Sequence, residues 1–134
     1  MAIISKISIV HSVSRKFEAA LDTCTKTCDE CSAEVQGIFS INDKSLKEKI
    51  SKIEPELVLV IGGDGTMISA IRNLLSLNIP FLGINIGKLG FLTDINLESI
   101  ADELPKVLKG DYVREQRPFL EVCLSNKNKK IAIN

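Results

Sequence analysis

The sequence predicts an α/β fold: an open, mostly parallel sheet with flanking helices, followed by the first strands of a β-rich second domain. Residues 57–61 form an uninterrupted apolar run, which is typical of a strand buried on both faces of a parallel sheet. A glycine-rich turn, a helical pattern and a second apolar strand follow, which indicates a βαβ unit with a right-handed crossover. After residue 110, two strand-like segments joined by a polar turn indicate an antiparallel hairpin.

The segments before the apolar run predict a strand and two helices. Residues 3–10 are rich in β-branched side chains and predict the first strand. Apolar residues then recur at steps of three and four, which predicts one amphipathic helix. This apolar stripe consists of Phe17, Leu21, Cys24, Cys28, Cys31 and Val35. In residues 44–52, Leu46 and Ile50 stand four apart, so we expect a short surface helix there.

The glycine-rich turn is followed by a helix, a strand and a second helix. The helical pattern that begins after residue 66 is closed by Asn78 and Pro80. Residues 81–86 then read as a strand. Asn96 is the expected cap of a helix over 97–109, in which Pro105 predicts a kink or a break.

The pattern of the sequence changes from helical to strand-like after residue 110, which predicts a domain boundary there. The segment 112–125 is strand-like, and another strand begins at residue 129. We therefore expect an α/β domain over residues 1–110. Residues 111–134 would begin a β-rich second domain that is incomplete in this chain.

Composition bounds the class of protein. Of 134 residues, 45% are hydrophobic and 25% charged, as in ordinary globular domains. The charges of the 17 basic and 17 acidic side chains cancel, so the protein has no net positive charge that would attract nucleic acid or an anionic membrane. No apolar run has the length of a membrane span, and the start shows no secretory leader, so we expect a cytoplasmic protein whose four cysteines are reduced.

The strongest functional signal is the first glycine motif, Gly62-Gly63-Asp64-Gly65-Thr66. Glycines allow a close approach to the backbone, and the N-terminus of the following helix favours phosphate oxygens. Thr66 can cap the helix or touch phosphate. A carboxylate beside phosphate is repulsive unless it holds a metal ion or accepts a proton, and both roles suit phosphoryl transfer. The alternative is a tight turn in which Asp64 caps the helix.

Two other phosphate-binding patterns are absent from the sequence. The segment 83–88 has one residue too few between its glycines for the G-x-x-x-x-G-K-[ST] pattern, and Leu89 replaces its hydroxyl residue. The dinucleotide pattern G-x-G-x-x-G is missing as well. These absences argue against a P-loop ATPase and against a dehydrogenase.

A second glycine motif follows the first after about twenty residues and spans residues 83–94, Gly-Ile-Asn-Ile-Gly-Lys-Leu-Gly-Phe-Leu-Thr-Asp. The two motifs together resemble the paired signature of the NAD kinases. Residues 131–134 also resemble the approach to that family's Asn-Glu pair, cut off after its Asn. The resemblance implies an enzyme that transfers the γ-phosphoryl group of ATP to the 2′-hydroxyl of the adenosine ribose of NAD, giving NADP, with Mg²⁺ or a similar divalent ion.

The resemblance also implies roles for individual residues. Asp64 would act on the ribose hydroxyl, as proton acceptor or together with the metal ion. Gly65 would lie against NAD, Phe91 near the adenine, and Asn134 at a substrate ribose. The ATP phosphates would be bound by Gly62, Gly63, Gly65 and Thr66.

The resemblance further implies that residues 1–110 are the nucleotide-binding domain, that residues 111–134 begin the substrate domain, and which partners the protein has. The substrates would be small nucleotides, without nucleic acid or membrane, and the full-length protein would be a homo-oligomer. Because the chain lacks the rest of the second domain, we expect the fragment alone to be inactive. A lipid kinase that shares the first motif, and a nucleotide-binding module without catalysis, remain as alternatives.

Other reactive residues have more ordinary interpretations. The spacing of Cys24, Cys28 and Cys31 matches an iron–sulfur site, but their shared helical stripe favours packing in the core. His11 is expected at the surface or at the start of the first helix. Lys88 reaches a phosphate or is solvated, and Asp94 anchors its turn or faces the nucleotide.

Overall fold

The central sheet of the computed structural model consists of five parallel strands. They are β1 (Lys6–His11), β2 (Glu34–Ser40), β3 (Leu57–Gly62), β4 (Phe81–Asn85) and β5 (Ile95–Asn96), and their order across the sheet is β2-β1-β3-β4-β5. The structure describes residues 3–14, 16–87, 90, 92–114, 119–123 and 129–133. The predicted α/β class with a parallel sheet is confirmed.

Helices cover both faces of this sheet. They are α1 (Phe17–Glu30), α2 (Leu46–Ile53), α3 (Asp64–Leu74) and α4 (Ile100–Leu108). The hydrophobic cluster on one face draws its helical residues from α1 and α4, and the cluster on the other face draws them from α2 and α3. Within β3, residues 57, 59 and 61 belong to the first cluster and residues 58 and 60 to the second. The apolar run is therefore continuous because both faces of its strand are covered.

The strand order places a topological switch point between β1 and β3. From β1 the chain moves outward to β2, and it then returns to place β3 on the other side of β1. The loops that follow β1 and β3 consequently lead away in opposite directions and leave a crevice at the carboxyl ends of these strands. Ligands of open α/β sheets bind in such a crevice.

Strand β2 corrects one prediction from the sequence. The apolar stripe was expected to remain helical to Val35, but α1 ends at Glu30, Ser32 takes a left-handed φ of 59°, and Val35 lies in β2. This strand is at the edge of the sheet, half-exposed, and interrupted by Gly37 at a φ of 94°. Its residues therefore lack the alternation that marks a buried strand.

Helix α4 confirms the expected cap and excludes one of the two predicted effects of Pro105, a break. The expected cap is confirmed, since the Asn96 Oδ1 accepts a hydrogen bond from the Ser99 N–H at 3.0 Å. A turn of 3₁₀ helix, Leu97–Ser99, precedes α4, and α4 then continues through Pro105 to Leu108 without a break. Proline at this position removes one N–H donor, while three fully or almost fully buried side chains hold the helix against the sheet. They are Ile100, Leu104 and Leu108.

The chain ends in a separate two-stranded sheet. Strands β6 (Phe119–Cys123) and β7 (Lys129–Ile133) pair antiparallel, with Phe119 opposite Ile133, as the sequence predicts. Residues 112–114 have no regular structure, so the segment that the sequence predicts as strand-like begins earlier than the observed strand. The domain boundary near residue 110 remains a prediction. None of the helices in the described part of the chain combines the length and the apolar character that a membrane span requires.

Candidate functional site

A cavity of about 410 Å³ opens where three strands end. We name it the strand-end cavity, and it is lined by Ser12, Ser14, Lys16, Gly62, Gly63, Asn85, Ile86 and Gly87. Main-chain hydrogen bonds hold these three loops together: the Ser12 N–H donates to the Ile61 carbonyl at 2.9 Å, and the Ile86 N–H donates to the Gly62 carbonyl at 3.2 Å. The cavity therefore lies at the carboxyl ends of β1, β3 and β4, at the switch point of the sheet.

Helix α3 begins inside the first glycine motif. Gly63 is its N-cap, without a side-chain cap, and Asp64 is its first helical residue. The Met67 N–H donates to the Gly63 carbonyl at 3.0 Å. The N–H groups of Gly65 and Thr66 lie before that first intrahelical hydrogen bond, at the positive end of the helix dipole. Because Gly63 lines the strand-end cavity, this helix terminus faces the space in which an anion would lie.

Two roles that the sequence left open for this turn are excluded. Asp64 is not the N-cap of α3, because it is already the first helical residue. Thr66 is the third helical residue, so it is not the cap either. The Thr66 side chain instead packs over Gly62, where an added Cβ would lie 2.5 Å from the Thr66 Oγ1. Gly62 is therefore glycine because α3 turns back closely over the end of β3.

At two further positions, close packing within the protein explains why the residue is glycine. A Cβ at Gly83 would lie 2.7 Å from the Met67 Cε and 2.8 Å from the Thr93 Cα. A Cβ at Gly90 would lie 2.6 Å from the Cγ of Asp64. These contacts are closer than a real Cβ tolerates, so internal packing accounts for both residues.

Three other glycines have no such reason. A Cβ at Gly63, Gly65 or Gly87 would meet no atom within 4 Å. None of the three has a positive φ that would require glycine. Gly63 and Gly87 line the strand-end cavity, and Gly65 is exposed at the start of α3. Because these residues have no side chain, the space next to them stays open, at the surface where the sequence predicts that nucleotide binds.

The Asp64 carboxylate faces the second glycine motif. Its Oδ1 accepts a hydrogen bond from the Leu92 N–H at 2.9 Å, across 28 residues of chain. Gly90 packs against the same carboxylate. The side chain is therefore held between the two glycine motifs instead of inside the strand-end cavity. Phe91 and Asn134, both predicted to contact NAD, lie outside the described residues, as does Lys88.

Four polar residues that line the strand-end cavity had no role assigned from the sequence. Asn85 is 3% exposed, and its Oδ1 accepts a hydrogen bond from the Gly87 N–H at 2.9 Å, which shapes the start of the second glycine motif. Ser12, Ser14 and Lys16 come from the loop between β1 and α1. The available signal was the polar stretch that follows the first strand. Only the strand order reveals that this stretch reaches the glycines.

Asp94 anchors its own turn, which was one of two alternatives left open by the sequence. Its N–H donates to the Gly83 carbonyl at 2.9 Å, and its Oδ2 accepts a longer hydrogen bond of 3.4 Å from the Gly83 N–H. The residue does not line the strand-end cavity. His11 stacks on Phe17 with ring centroids 4.4 Å apart, which places it against the first turn of α1, as expected.

The two cysteines of α1 belong to the hydrophobic core, as the helical stripe predicts. Cys24 and Cys28 have no exposed surface, and Cys31 packs against the same cluster. Burial, and secondarily the neighbouring thiol of Cys28, raises the pKa of Cys24 to about 12. Burial, and secondarily Cys31, raises the pKa of Cys28 to about 12. Such thiols stay protonated and unreactive at neutral pH.

The family model and the relatives that match this chain all bear the name NAD kinase. The family model described as ATP-NAD kinase N-terminal domain matches residues 6–112. A NAD kinase from Lachnospira eligens is 36% identical over 101 residues, which are 75% of this chain and 34% of that protein. A NAD kinase from Acidovorax sp. is 48% identical over 69 residues, or 52% of this chain and 23% of that protein. A NAD kinase from Thiobacillus denitrificans is 42% identical over 89 residues, or 66% and 30%.

The chain thus spans about a third or less of the length of these relatives. Among solved structures, a 3-dehydroquinate dehydratase-like protein from Bifidobacterium longum is similar with a TM-score of 0.48 and 12% identity, over 76% of this chain and 92% of that chain. This likeness is too distant to bear on function.

Proposed function

The chain belongs to the ATP-NAD kinase N-terminal domain family, and on that premise we propose that the full-length protein is an NAD kinase. It transfers the γ-phosphoryl group of ATP to the 2′-hydroxyl of the adenosine ribose of NAD and releases NADP and ADP. The observation that carries this proposal is a carboxylate, Asp64, flanked by glycines that the protein's own packing does not require. Gly63, Gly65 and Gly87 keep the surface around α3 open for a close-lying ligand.

The strand-end cavity suits the phosphates of ATP. Main-chain N–H groups at the start of α3 and the dipole of that helix attract phosphate oxygens. Lys16 adds a positive charge to the same cavity, and Ser12 and Ser14 add hydroxyl donors. We therefore assign the phosphates to Gly62, Gly63, Gly65 and Thr66, as the resemblance implies, together with these three residues of the β1–α1 loop.

Asp64 is the general base in this proposal. Its carboxylate accepts the proton of the 2′-hydroxyl while the ribose oxygen forms a bond to the γ-phosphorus. The bond from that phosphorus to the β–γ bridging oxygen breaks, and its electrons leave with ADP. A positioned general base contributes roughly 10²–10⁴-fold in rate, or about 3–5 kcal/mol of the barrier. Gly65, Phe91 and Asn134 are proposed to bind NAD, as the resemblance implies.

A divalent ion such as Mg²⁺ would neutralise charge on the transferring phosphates. Among the described residues, no group of three or more His, Cys, Asp or Glu could hold a metal ion by itself. The chain nevertheless fits Mg²⁺, because this ion is commonly bound through one or two carboxylates and the substrate phosphates. Asp64 would be that carboxylate if it organises the ribose hydroxyl through the ion instead of accepting its proton.

The remaining assignments concern the whole protein. We propose that residues 111–134 begin a β-rich domain that supplies further NAD contacts, and that this chain alone is inactive. The full-length protein is proposed to be a cytoplasmic homo-oligomer. Static light scattering of the full-length protein tests the oligomer, and a monomer at assay concentrations would contradict it.

The activity is tested by offering ATP and Mg²⁺ with NAD, with diacylglycerol or without an acceptor. Both this chain and the full-length protein are assayed. NADP formed by the full-length protein is the expected result. Phosphorylated diacylglycerol would indicate a lipid kinase instead, and nucleotide binding without any product would indicate a module without catalysis.

A further inference from the structure

We propose that the second glycine motif positions the Asp64 carboxylate, and that Gly90 is a positioning residue for the transfer. This inference rests on the proposed function and extends it to a residue outside the strand-end cavity. Gly90 would act through Asp64 and would itself touch no substrate.

Two independent observations link the motif to the carboxylate. The Leu92 N–H donates to the Asp64 Oδ1 at 2.9 Å, which fixes one oxygen of the base. A Cβ at Gly90 would lie 2.6 Å from the Asp64 Cγ and 2.8 Å from its Oδ2. The φ of Gly90 is not in the left-handed region, so its backbone does not demand glycine. The carboxylate occupies the volume that a side chain at position 90 would need.

The donor is itself held by the central sheet. The Asp94 N–H donates to the Gly83 carbonyl of β4 at 2.9 Å. Next to it, Thr93 is 8% exposed, and its Cα would lie 2.8 Å from a Cβ at Gly83. The segment 92–94 therefore lies closely along β4, and the Leu92 N–H has a fixed place relative to α3. A base oriented from a rigid strand edge keeps one position through the reaction.

The expected consequence of filling this volume is a displaced base. In Gly90→Ala the carboxylate is easier to move than either main chain, because it is the end of a two-torsion side chain. A shift of about 1 Å in a reacting group costs on the order of 100-fold in rate. The turnover number should therefore fall by roughly 10–100-fold. The KM for ATP should change by less than about threefold, because Gly90 does not line the strand-end cavity.

A double-mutant cycle in the full-length protein tests this inference. Turnover is measured for the wild type, Gly90→Ala, Asp64→Asn and the double variant. If Gly90 acts through the carboxylate, Gly90→Ala costs less than about twofold once Asp64 is asparagine, because the two effects are then coupled. Ile50→Val is the structural comparator: Ile50 is fully buried on α2 outside the site, so any cost of this variant should be equal in both backgrounds. An equal cost of Gly90→Ala in both backgrounds would overturn the proposal.

A second measurement reads the hydrogen bond directly and does not depend on turnover. Exchange of the Leu92 amide proton with solvent is followed by NMR in the same variants. Asp64→Ala removes the acceptor and should raise exchange by at least about tenfold, whereas Asp64→Asn keeps an oxygen acceptor and should not. Gly90→Ala should raise exchange as Asp64→Ala does. A protected Leu92 amide in Gly90→Ala would refute the positioning role even in a protein that makes no NADP, an outcome that would separately refute the proposed function.

Discussion

Gly65→Ala should make the protein more stable and less active at once. Gly65 is the second residue of α3, and a Cβ there meets no atom within 4 Å. Glycine in a helix is less favourable than alanine by about 0.5–1 kcal/mol. For a full-length protein of the size of its relatives, this corresponds to a rise in Tm of roughly 1–4 °C.

The same methyl group would occupy space that the proposal assigns to NAD. Overpacking a close contact costs about 1–3 kcal/mol, which corresponds to a loss of roughly 5–150-fold in kcat/KM for NAD. Thermal unfolding followed by circular dichroism gives the first quantity, and a coupled assay of NADP formation gives the second. Gly62→Ala is the matched control, because its Cβ would collide with Thr66. That variant should lower the Tm.

Two results would refute this reasoning about Gly65. A lower Tm in Gly65→Ala would mean that the space around the start of α3 is not open. A higher Tm with unchanged kcat/KM would mean that no substrate approaches this residue.

Asp64→Asn in the full-length protein should lower turnover by roughly 10²–10⁴-fold while the fold persists, because the amide oxygen still accepts the main-chain hydrogen bond; near-normal turnover would remove Asp64 from the catalytic role. Lys16→Gln should raise the KM for ATP by roughly 10-fold or more, since a hydrogen bond to a charged group contributes about 1.5–3 kcal/mol, and the exposed Lys26→Gln on α1 should not. The thiols of Cys24 and Cys28 have their pKa raised from 9.0 to about 12 in the folded protein, so their contribution to stability is complete below pH 9 and is lost as the pH rises toward 12. Urea unfolding between pH 8 and 11 should therefore show a free energy of unfolding that falls by up to about 1.4 kcal/mol per pH unit for each thiol, and a Cys24→Ala/Cys28→Ala variant that declines as steeply would contradict the assignment.

The elements that the sequence predicted are those whose signals are local. The apolar run of β3 identifies a central strand because burial on both faces leaves no polar position in it. Asn96 identifies a helix start because its side chain bonds to an N–H three residues away. The first glycine motif is also local, since it follows a buried strand and begins a helix. In each case the cause lies within a few residues of the signal.

The strand β2 and the partners of Asp64 could not be predicted in this way. As an edge strand, β2 pairs with β1 alone, and a half-exposed strand that contains Gly37 leaves little periodicity in the sequence. The sequence placed a carboxylate beside phosphate and left its orientation open. The hydrogen bond from Leu92 depends on two segments 28 residues apart meeting at one sheet edge.

By itself, then, the sequence determined the fold class, the pair of glycine motifs and the residue types that a phosphoryl transfer needs. Only the tertiary structure decided which glycines face open space and which are filled by their neighbours, and that the loop after β1 brings Lys16 to the same cavity. The physical reason is that a residue pattern records local backbone preference and burial. The order of strands, and hence what meets at their ends, is set by packing between segments that are distant along the chain.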